Sequence, residues 1–164
     1  MAAILTKLPL SNSSVCHFNP GAGRKAAHLS TQFNGRTINL WSAHLATDSS
    51  GTRSYEVSNL QNCAWSWGEA QLIAGDFNMQ PYSPEYNVMT SAFGDGWAIA
   101  KSNGATANYS GNCDGCTRNS RIDYIFSSWS WFLSVKYAEV YDTRDGWGTM
   151  ASDHKPLIVV YGVQ

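Results

Sequence analysis

The dipeptide Asn34-Gly35 constrains the fold more than any other feature, because it separates two strand-like runs at residues 26–33 and 36–45. Both residues tolerate positive φ, which the type I′ turn of a two-residue β-hairpin requires. The sequence therefore predicts that these two runs pair as antiparallel strands.

Further elements are predicted along the rest of the chain. Apolar residues at three- and four-residue spacing predict a helix over residues 52–67, ended by Gly68. Ser83 and Pro84 suit the start of a second helix, which we expect to run to about residue 93. Apolar runs at 71–77, 121–126, 135–141 and 156–163 predict strands. This pattern indicates an α+β fold, a layered β-sheet with helices packed on it, in one domain over residues 1–164.

Charge and composition exclude several classes of protein. The net charge of -1 argues against a strongly basic nucleic-acid-binding body, so any such binding must be local and metal-assisted. No apolar run is long enough for a transmembrane helix, and residues 1–10 lack the apolar core of a signal peptide. Low Lys and Glu content, abundant Ser, Gly and Asn, and seven Trp favour a secreted parent protein.

Four cysteines include one close pair, Cys113 and Cys116. A Cys-x-x-Cys pair suits a small disulfide loop, half of a zinc site or a redox pair. Cys16 and Cys63 are too isolated to complete a zinc site, and the pair has no helical context for redox chemistry. A disulfide loop is therefore the preferred interpretation.

Polar residues with metal-binding or proton-transfer chemistry occur where four apolar strands begin or end. The candidates are His44, Asp76, Asn78, Asp123, Asp153 and His154. Carboxylate and amide oxygens suit Mg²⁺, the preferred ion, with Mn²⁺ and Ca²⁺ as alternatives. Such an ion neutralises a phosphate, and a histidine beside a carboxylate can move protons to and from water.

Each candidate also has a structural interpretation. An Asp-x-Asn sequence after a strand is most often a turn, and a lone strand histidine such as His44 is more often part of the core. Asp153 suits a surface loop. Asp123 is harder to explain structurally, because it lies in an apolar run where an unpaired carboxylate is costly. His17 and His28 have no carboxylate nearby in sequence, and we interpret both as structural.

Taken together and in order, these segments resemble the endonuclease/exonuclease/phosphatase family. His44 at the first motif resembles the deoxyribonuclease I and sphingomyelinase branches rather than the abasic-site nucleases. The matching segments end in His44-Leu45, Gly75-Asp76-Phe77-Asn78, Arg121-Ile122-Asp123-Tyr124 and Ser152-Asp153-His154. The resemblance implies that Asp123 and His154 form a general base, that His44 contacts the phosphate as an acid, and that Asp76, Asn78, Asp153 and His154 hold the metal. Arg53 resembles a basic residue at the start of the family's next helix.

The resemblance covers the C-terminal portion of the family domain. The asparagine and glutamate that the family carries in its first half are not recognisable here, so we expect half of a four-layer α/β sandwich. Removing one half exposes an apolar sheet face, which predicts a homodimer.

The resemblance favours a divalent-metal-dependent DNA endonuclease, with RNA as a further candidate substrate beside DNA. The second hypothesis is a phosphodiesterase or phosphatase that acts on a small or lipid substrate, because the same residues can hydrolyse phosphate esters of nucleic acids and of smaller molecules. A non-catalytic remnant that binds metal or a partner protein is the third.

Overall fold

The computed structural model describes residues 2–18, 24–68, 70–108, 113–144 and 147–164. Its described elements form two sheets and three helices. In chain order they are β1 (Leu10–His17), β2 (Lys25–Phe33), β3 (Arg36–His44), α1 (Ser50–Trp65), β4 (Gln71–Asp76), α2 (Pro84–Thr90), β5 (Phe93–Asp95), α3 (Gly96–Ser102), β6 (Thr106–Asn108), β7 (Asp123–Ser128), β8 (Leu133–Val140) and β9 (Leu157–Val163). The α+β class predicted from the sequence is confirmed.

The predicted hairpin is present. Strands β2 and β3 are antiparallel with Phe33 opposite Arg36, and Asn34 and Gly35 have φ of 50° and 73°. Six strands form the larger sheet in the order β1-β2-β3-β4-β7-β5, and the second sheet has the order β6-β8-β9.

Both predicted helices form, with different ends. Helix α1 starts earlier than expected because the Ser49 side chain accepts the Thr52 N–H and caps it. Helix α2 has the expected Ser83 cap but ends at Thr90. The prediction that it reaches residue 93 is wrong, because Phe93 begins β5 and pairs with β7.

Four short or polar elements were not predicted: β1, α3, β5 and β6. Strand β1 has the sequence LSNSSVCH, which lacks the alternation of apolar and polar residues that predicts a strand. It is stabilised as a strand by pairing along β2. A disulfide between Cys16 and Cys63 also ties β1 to α1, and the expected Cys113–Cys116 disulfide is present.

The main core lies between one face of the larger sheet and helices α1 and α2. Buried sheet residues Trp41, Ile73 and Phe126 share one cluster with Val57 and Leu60 of α1. The smaller sheet packs on the other side, where α3 and β9 meet β7. There Gly96 has the Ile125 carbonyl and the Val159 side chain so close that an added Cβ would lie 2.8 and 3.0 Å from them. None of the described helices is long and apolar enough to cross a membrane.

Candidate active site

Strand register places three of the predicted site residues in one row across the larger sheet. His44 of β3 lies opposite Asp76 of β4, and Asp76 lies opposite Asp123 of β7. Residues in register project from the same face of a sheet. Their neighbours Ala43 and Tyr124 belong to the helix-side core, so the row lies on the face away from α1 and α2.

Strands β3 and β4 approach each other closely just before this row. Gly75 has φ of 151°, and a Cβ there would lie 1.9 Å from the Ala43 carbonyl oxygen of the adjacent strand. Only glycine permits this close backbone approach. The strands therefore hold Asp76 next to His44, whose Nε2 lies 3.6 Å from Asp76 Oδ2.

Asn78 turns the chain directly after the strand. Its backbone N–H donates to Asp76 Oδ1 over 2.9 Å, and its side-chain Nδ2 donates to the Leu45 carbonyl over 3.0 Å. Its φ of 48° is a conformation that asparagine tolerates better than most residues. The Asp-x-Asn sequence is thus a turn, as its structural interpretation held, and the turn also fixes the Asp76 carboxylate at the row.

Asp123 and His154 form the hydrogen-bonded pair expected from the sequence. His154 Nδ1 lies 2.8 Å from Asp123 Oδ2, and about a fifth of each side chain is exposed, 22% and 21%. Because an ionised carboxylate only accepts, Nδ1 donates in this bond, and the neutral tautomer that fits it has its lone pair on Nε2. Burial raises the pKa of the Asp123 carboxyl, while hydrogen bonds from Thr117 and His154 act in the opposite direction.

Thr117 is a site residue that the sequence did not reveal. Its side chain is fully buried, its hydroxyl donates to Asp123 Oδ2, and its carbonyl accepts the Lys155 N–H over 2.6 Å. Thr117 therefore connects the loop after Cys116 to Asp123 and to Lys155, the residue that follows His154. A single threonine in a polar loop gives no sequence signal for such a role.

Within the described part of the chain, Asp76, Asp123 and His154 form a group that could hold a metal ion, with ligand atoms within 4.8 Å of one another. Two carboxylates and an imidazole suit Mg²⁺ or Mn²⁺. Two further predicted ligands point elsewhere: the Asp153 side chain is 70% exposed and lies 3.0 Å from Arg118 NH2, while the Asn78 amide nitrogen binds Leu45. Metal binding by Asn78 and Asp153 stays a prediction.

Side chains from two other segments hold the backbone at and after His44 in place. Arg24 donates to the carbonyls of His44 and Leu45 over 3.2 and 2.8 Å. Glu56 of α1 accepts the Ala46 N–H over 2.7 Å. These contacts hold the end of β3 rigidly beside Asp76.

Arg53, the basic residue singled out on helix α1, supports the same segment and is largely buried. Its Nε lies 2.7 Å from Glu85 Oε1, and its NH1 donates to the Ala46 carbonyl over 3.3 Å. Burial opposes ionisation of Glu85, but hydrogen bonds from Ser50 and Arg53 bring its pKa below the usual value. Arg53 therefore positions the chain next to His44.

Arg121 of the Arg-Ile-Asp segment is structural as well. It is 8% exposed and forms an ion pair of 2.5 Å with Asp95, which also accepts the Tyr86 hydroxyl. Burial, followed by the nearby Asp95 carboxylate, raises the pKa of Tyr86 to about 12.

The larger sheet carries His44, Asp76 and Asp123 at one end of three neighbouring strands, and His154 is hydrogen-bonded to Asp123. This arrangement is suited to metal-assisted hydrolysis of phosphate esters. The sequence profile of the Endonuclease/Exonuclease/phosphatase family matches residues 2–154, and the chain belongs to this family. Its fold is that of a hydrolase, and its family's enzymes generally depend on a divalent metal. No curated protein matches the sequence significantly.

Solved structures share the fold at low sequence identity. The endonuclease/exonuclease/phosphatase from Bacteroides vulgatus has a TM-score of 0.78 and 17% identity over 96% of this chain and 67% of its own. The mannosyl-6-phosphatase of Bacteroides thetaiotaomicron VPI-5482 has a TM-score of 0.69 and 18% identity, covering 94% and 67%. D. rerio TDP2, complexed with a single-strand DNA product, has a TM-score of 0.68 and 17% identity, covering 95% and 69%. The chain thus spans about two thirds of the length of these proteins.

Proposed function

We propose that this protein is a divalent-metal-dependent endonuclease that hydrolyses phosphodiester bonds in DNA. The observation that carries the proposal is the row of His44, Asp76 and Asp123, completed by His154 on Asp123. A candidate base, a candidate acid and a candidate metal ligand then lie together at one end of strands β3, β4 and β7.

His154 is the base in this mechanism. With Nδ1 donating to Asp123, Nε2 accepts a proton from water as the new oxygen–phosphorus bond forms. His44, whose side chain is 42% exposed, delivers a proton to the leaving oxygen as the old bond breaks. The His154 ring is oriented by its hydrogen bond to Asp123 Oδ2. His44 Nε2 lies 3.6 Å from the Asp76 carboxylate, within reach of charge attraction but beyond hydrogen-bond distance.

Asp76 is the metal ligand that agrees best with these roles. His154 Nε2 cannot bind an ion and take a proton at once, so the carboxylate oxygens of Asp76, with Asp123 beside them, are left for the ion. An Mg²⁺ or Mn²⁺ ion held there would neutralise phosphate charge and stabilise the charge that builds in the transition state. Asn78 and Asp153 are the further candidate ligands.

Cleavage of supercoiled plasmid, with and without EDTA, tests this proposal. We expect metal-dependent nicking that EDTA abolishes and that His154→Ala reduces by about 10²- to 10⁴-fold. His17→Ala is the matched control, because His17 is an exposed histidine outside the row. Nicking that survives both EDTA and His154→Ala would show that a contaminant cleaves the plasmid. If the wild-type protein with metal does not nick the plasmid at all, the proposal is contradicted.

A phosphatase acting on a small substrate is the second candidate, favoured by the likeness to the mannosyl-6-phosphatase. The two candidates differ in the ester they cleave. Rates on a phosphomonoester and on bis(p-nitrophenyl) phosphate separate them, since a nuclease prefers the diester.

We also propose that the protein forms a homodimer. On β9, Ile158 and Val160 are 41% and 46% exposed, and among the described strands β9 pairs only with β8. Leu40 and Leu72 are only half-buried on the face that carries the row. Sedimentation at micromolar concentration should show a dimer that Val160→Lys weakens, whereas a concentration-independent monomer would refute it.

A secreted parent protein is our proposal for localisation. The described cysteines are paired in two disulfides, which persist in oxidising compartments. Alkylation without reductant, followed by mass spectrometry, should find no modified cysteine.

A further inference from the structure

The loop between Asn78 and α2 contains a tyrosine in an unfavourable backbone conformation. Ser83 N donates to the Gln80 carbonyl over 3.2 Å and closes a turn with Pro81 at its second position. Tyr82, at the third position, has φ of 67°. This is the pattern of a type II turn, whose third position normally requires glycine or asparagine.

A bulky residue at positive φ is strained, and such strain concentrates at functional sites. The other described non-glycine residues with positive φ, Asn34, Ala70 and Asn78, are small. Glycine at position 82 would form the same turn without strain. The tyrosine side chain must therefore be explained by something other than the turn.

Packing does not explain it, because the Tyr82 residue is 84% exposed. Its ring meets the Tyr86 ring edge-on, with centroids 6.0 Å apart, and its carbonyl accepts from Asn87 over 3.3 Å. The backbone is thus fixed at both sides while the ring faces solvent. A rigid, exposed aromatic face is a surface on which a planar ligand can stack.

The loop is anchored directly to the row of site residues. Asn78 N donates to Asp76 of the row, and on the helix side of the sheet the Tyr124 hydroxyl donates to the Met79 carbonyl over 3.0 Å. Met79 itself is 1% exposed. Three residues span at most about 11 Å, so the Cα of Tyr82 lies within that distance of Met79.

We propose that Tyr82 is a specificity-determining residue that stacks on a nucleobase next to the reacting phosphodiester. This inference rests on the proposed nuclease function. It narrows the substrate to single-stranded or locally unpaired polynucleotide, because a base that is paired and stacked in a duplex has no free face for the tyrosine ring. Stacking on an aromatic ring tolerates every base, so the contact selects strand state and not sequence.

Two substrates separate this inference from the proposed function. We expect Tyr82→Gly to raise KM for a single-stranded oligonucleotide by about 5- to 150-fold, the range of one base stacking on one aromatic side chain. Its rate on bis(p-nitrophenyl) phosphate, which has no base, should stay unchanged. Tyr82→Phe should keep the wild-type KM, and Tyr55→Ala, which removes an exposed tyrosine of α1, is the matched control.

A binding measurement decides the matter even without turnover. In EDTA, an oligonucleotide containing 2-aminopurine should lose fluorescence on binding wild-type protein and Tyr82→Phe, and much less on binding Tyr82→Gly. The glycine variant should also unfold at a higher temperature, since it removes the strain. An unchanged KM together with unchanged quenching in Tyr82→Gly would overturn the stacking role, whereas failure to cleave bis(p-nitrophenyl) phosphate in wild type would count only against the nuclease function.

Discussion

Each face of the larger sheet has a histidine held by polar partners: His28, within strand β2, on the helix side, and His154, in the loop before β9, on the other side. The two are suited to different roles. On the helix side, His28 is 3% exposed, with its ring centroid 4.2 Å from those of both Trp41 and Trp67. Its ring nitrogens bond Ser14 and Asn39, over 3.0 and 3.1 Å. On the other face, His154 bonds a carboxylate and is partly exposed.

Partner chemistry and exposure account for the difference. Burial favours the neutral imidazole of His28 and lowers its pKa, while the hydrogen bond to Asn39 acts in the opposite direction, and no carboxylate is among the hydrogen-bond partners named above. A carboxylate partner lets His154 take and release a proton while its ring stays oriented. The same residue type is therefore structural on one face and suited to catalysis on the other.

The largest loss of activity should come from removing the charge of Asp123, the carboxylate that holds His154. Asp123→Asn keeps the shape but can no longer stabilise the protonated imidazole, so kcat should fall by on the order of 10³- to 10⁴-fold. Circular dichroism should show an unchanged fold. Unaltered plasmid cleavage by this variant would remove the pair from the mechanism.

The row itself could be predicted because each of its residues follows or precedes an apolar run of strand length. Asp123 is the clearest case, since an apolar run leaves a carboxylate in need of a partner. The partner's identity came from the family resemblance, because residue 154 is 31 positions away and propensity does not reveal such long-range contacts.

The second prediction concerns the helix face alone. The Cys16–Cys63 disulfide closes a separation of 47 residues between β1 and α1. Replacing both cysteines by alanine should lower the free energy of unfolding by about 2 to 4 kcal/mol, without changing kcat below the melting temperature. Urea titration measures the loss.

The matched control is the double alanine variant of Cys113 and Cys116. Their separation is 3, so the bridge restricts the unfolded chain little and stability should change much less. Equal losses in the two variants would contradict the loop-closure explanation.

Thr117 gives a third, smaller effect that is confined to the catalytic face. Thr117→Val removes a buried hydrogen bond to the Asp123 carboxylate, typically worth about 1.5 to 3 kcal/mol, so kcat should fall roughly 10- to 100-fold. Thr117→Ser keeps the hydroxyl and should restore most of the rate. A serine variant as slow as the valine variant would mean that the methyl packing matters, and not the hydrogen bond.

Neither Thr117 nor the orientation of Asp153 follows from sequence pattern. Both lie in loops without periodicity, where the contacts of a side chain depend on how two distant segments meet. Thr117 bonds Lys155 across 38 positions of sequence, and Asp153 pairs with Arg118. Strand β1 was missed for a related reason, because its polar residues become a strand only against β2.

The smallest effect is expected at His28, and it tests the claim that the helix-face histidine is held neutral. Its folded-state pKa lies below the ordinary value of 6.5, so the unfolded chain binds more protons as pH falls through this range. The stability contribution is fully present above pH 6.5 and declines below it, by at most about 1.4 kcal/mol per pH unit, until the folded-state pKa is reached.

His28→Gln, which can still donate to Asn39 and accept from Ser14, should flatten this decline in urea titrations between pH 5 and 7 (about the range in which histidine titrates). His17→Gln, at an exposed position of β1, should leave the profile unchanged. If His28→Gln leaves the profile as steep as in wild type, the acid sensitivity comes from carboxylates, and the two faces of the sheet do not differ in the way that their histidine partners predict.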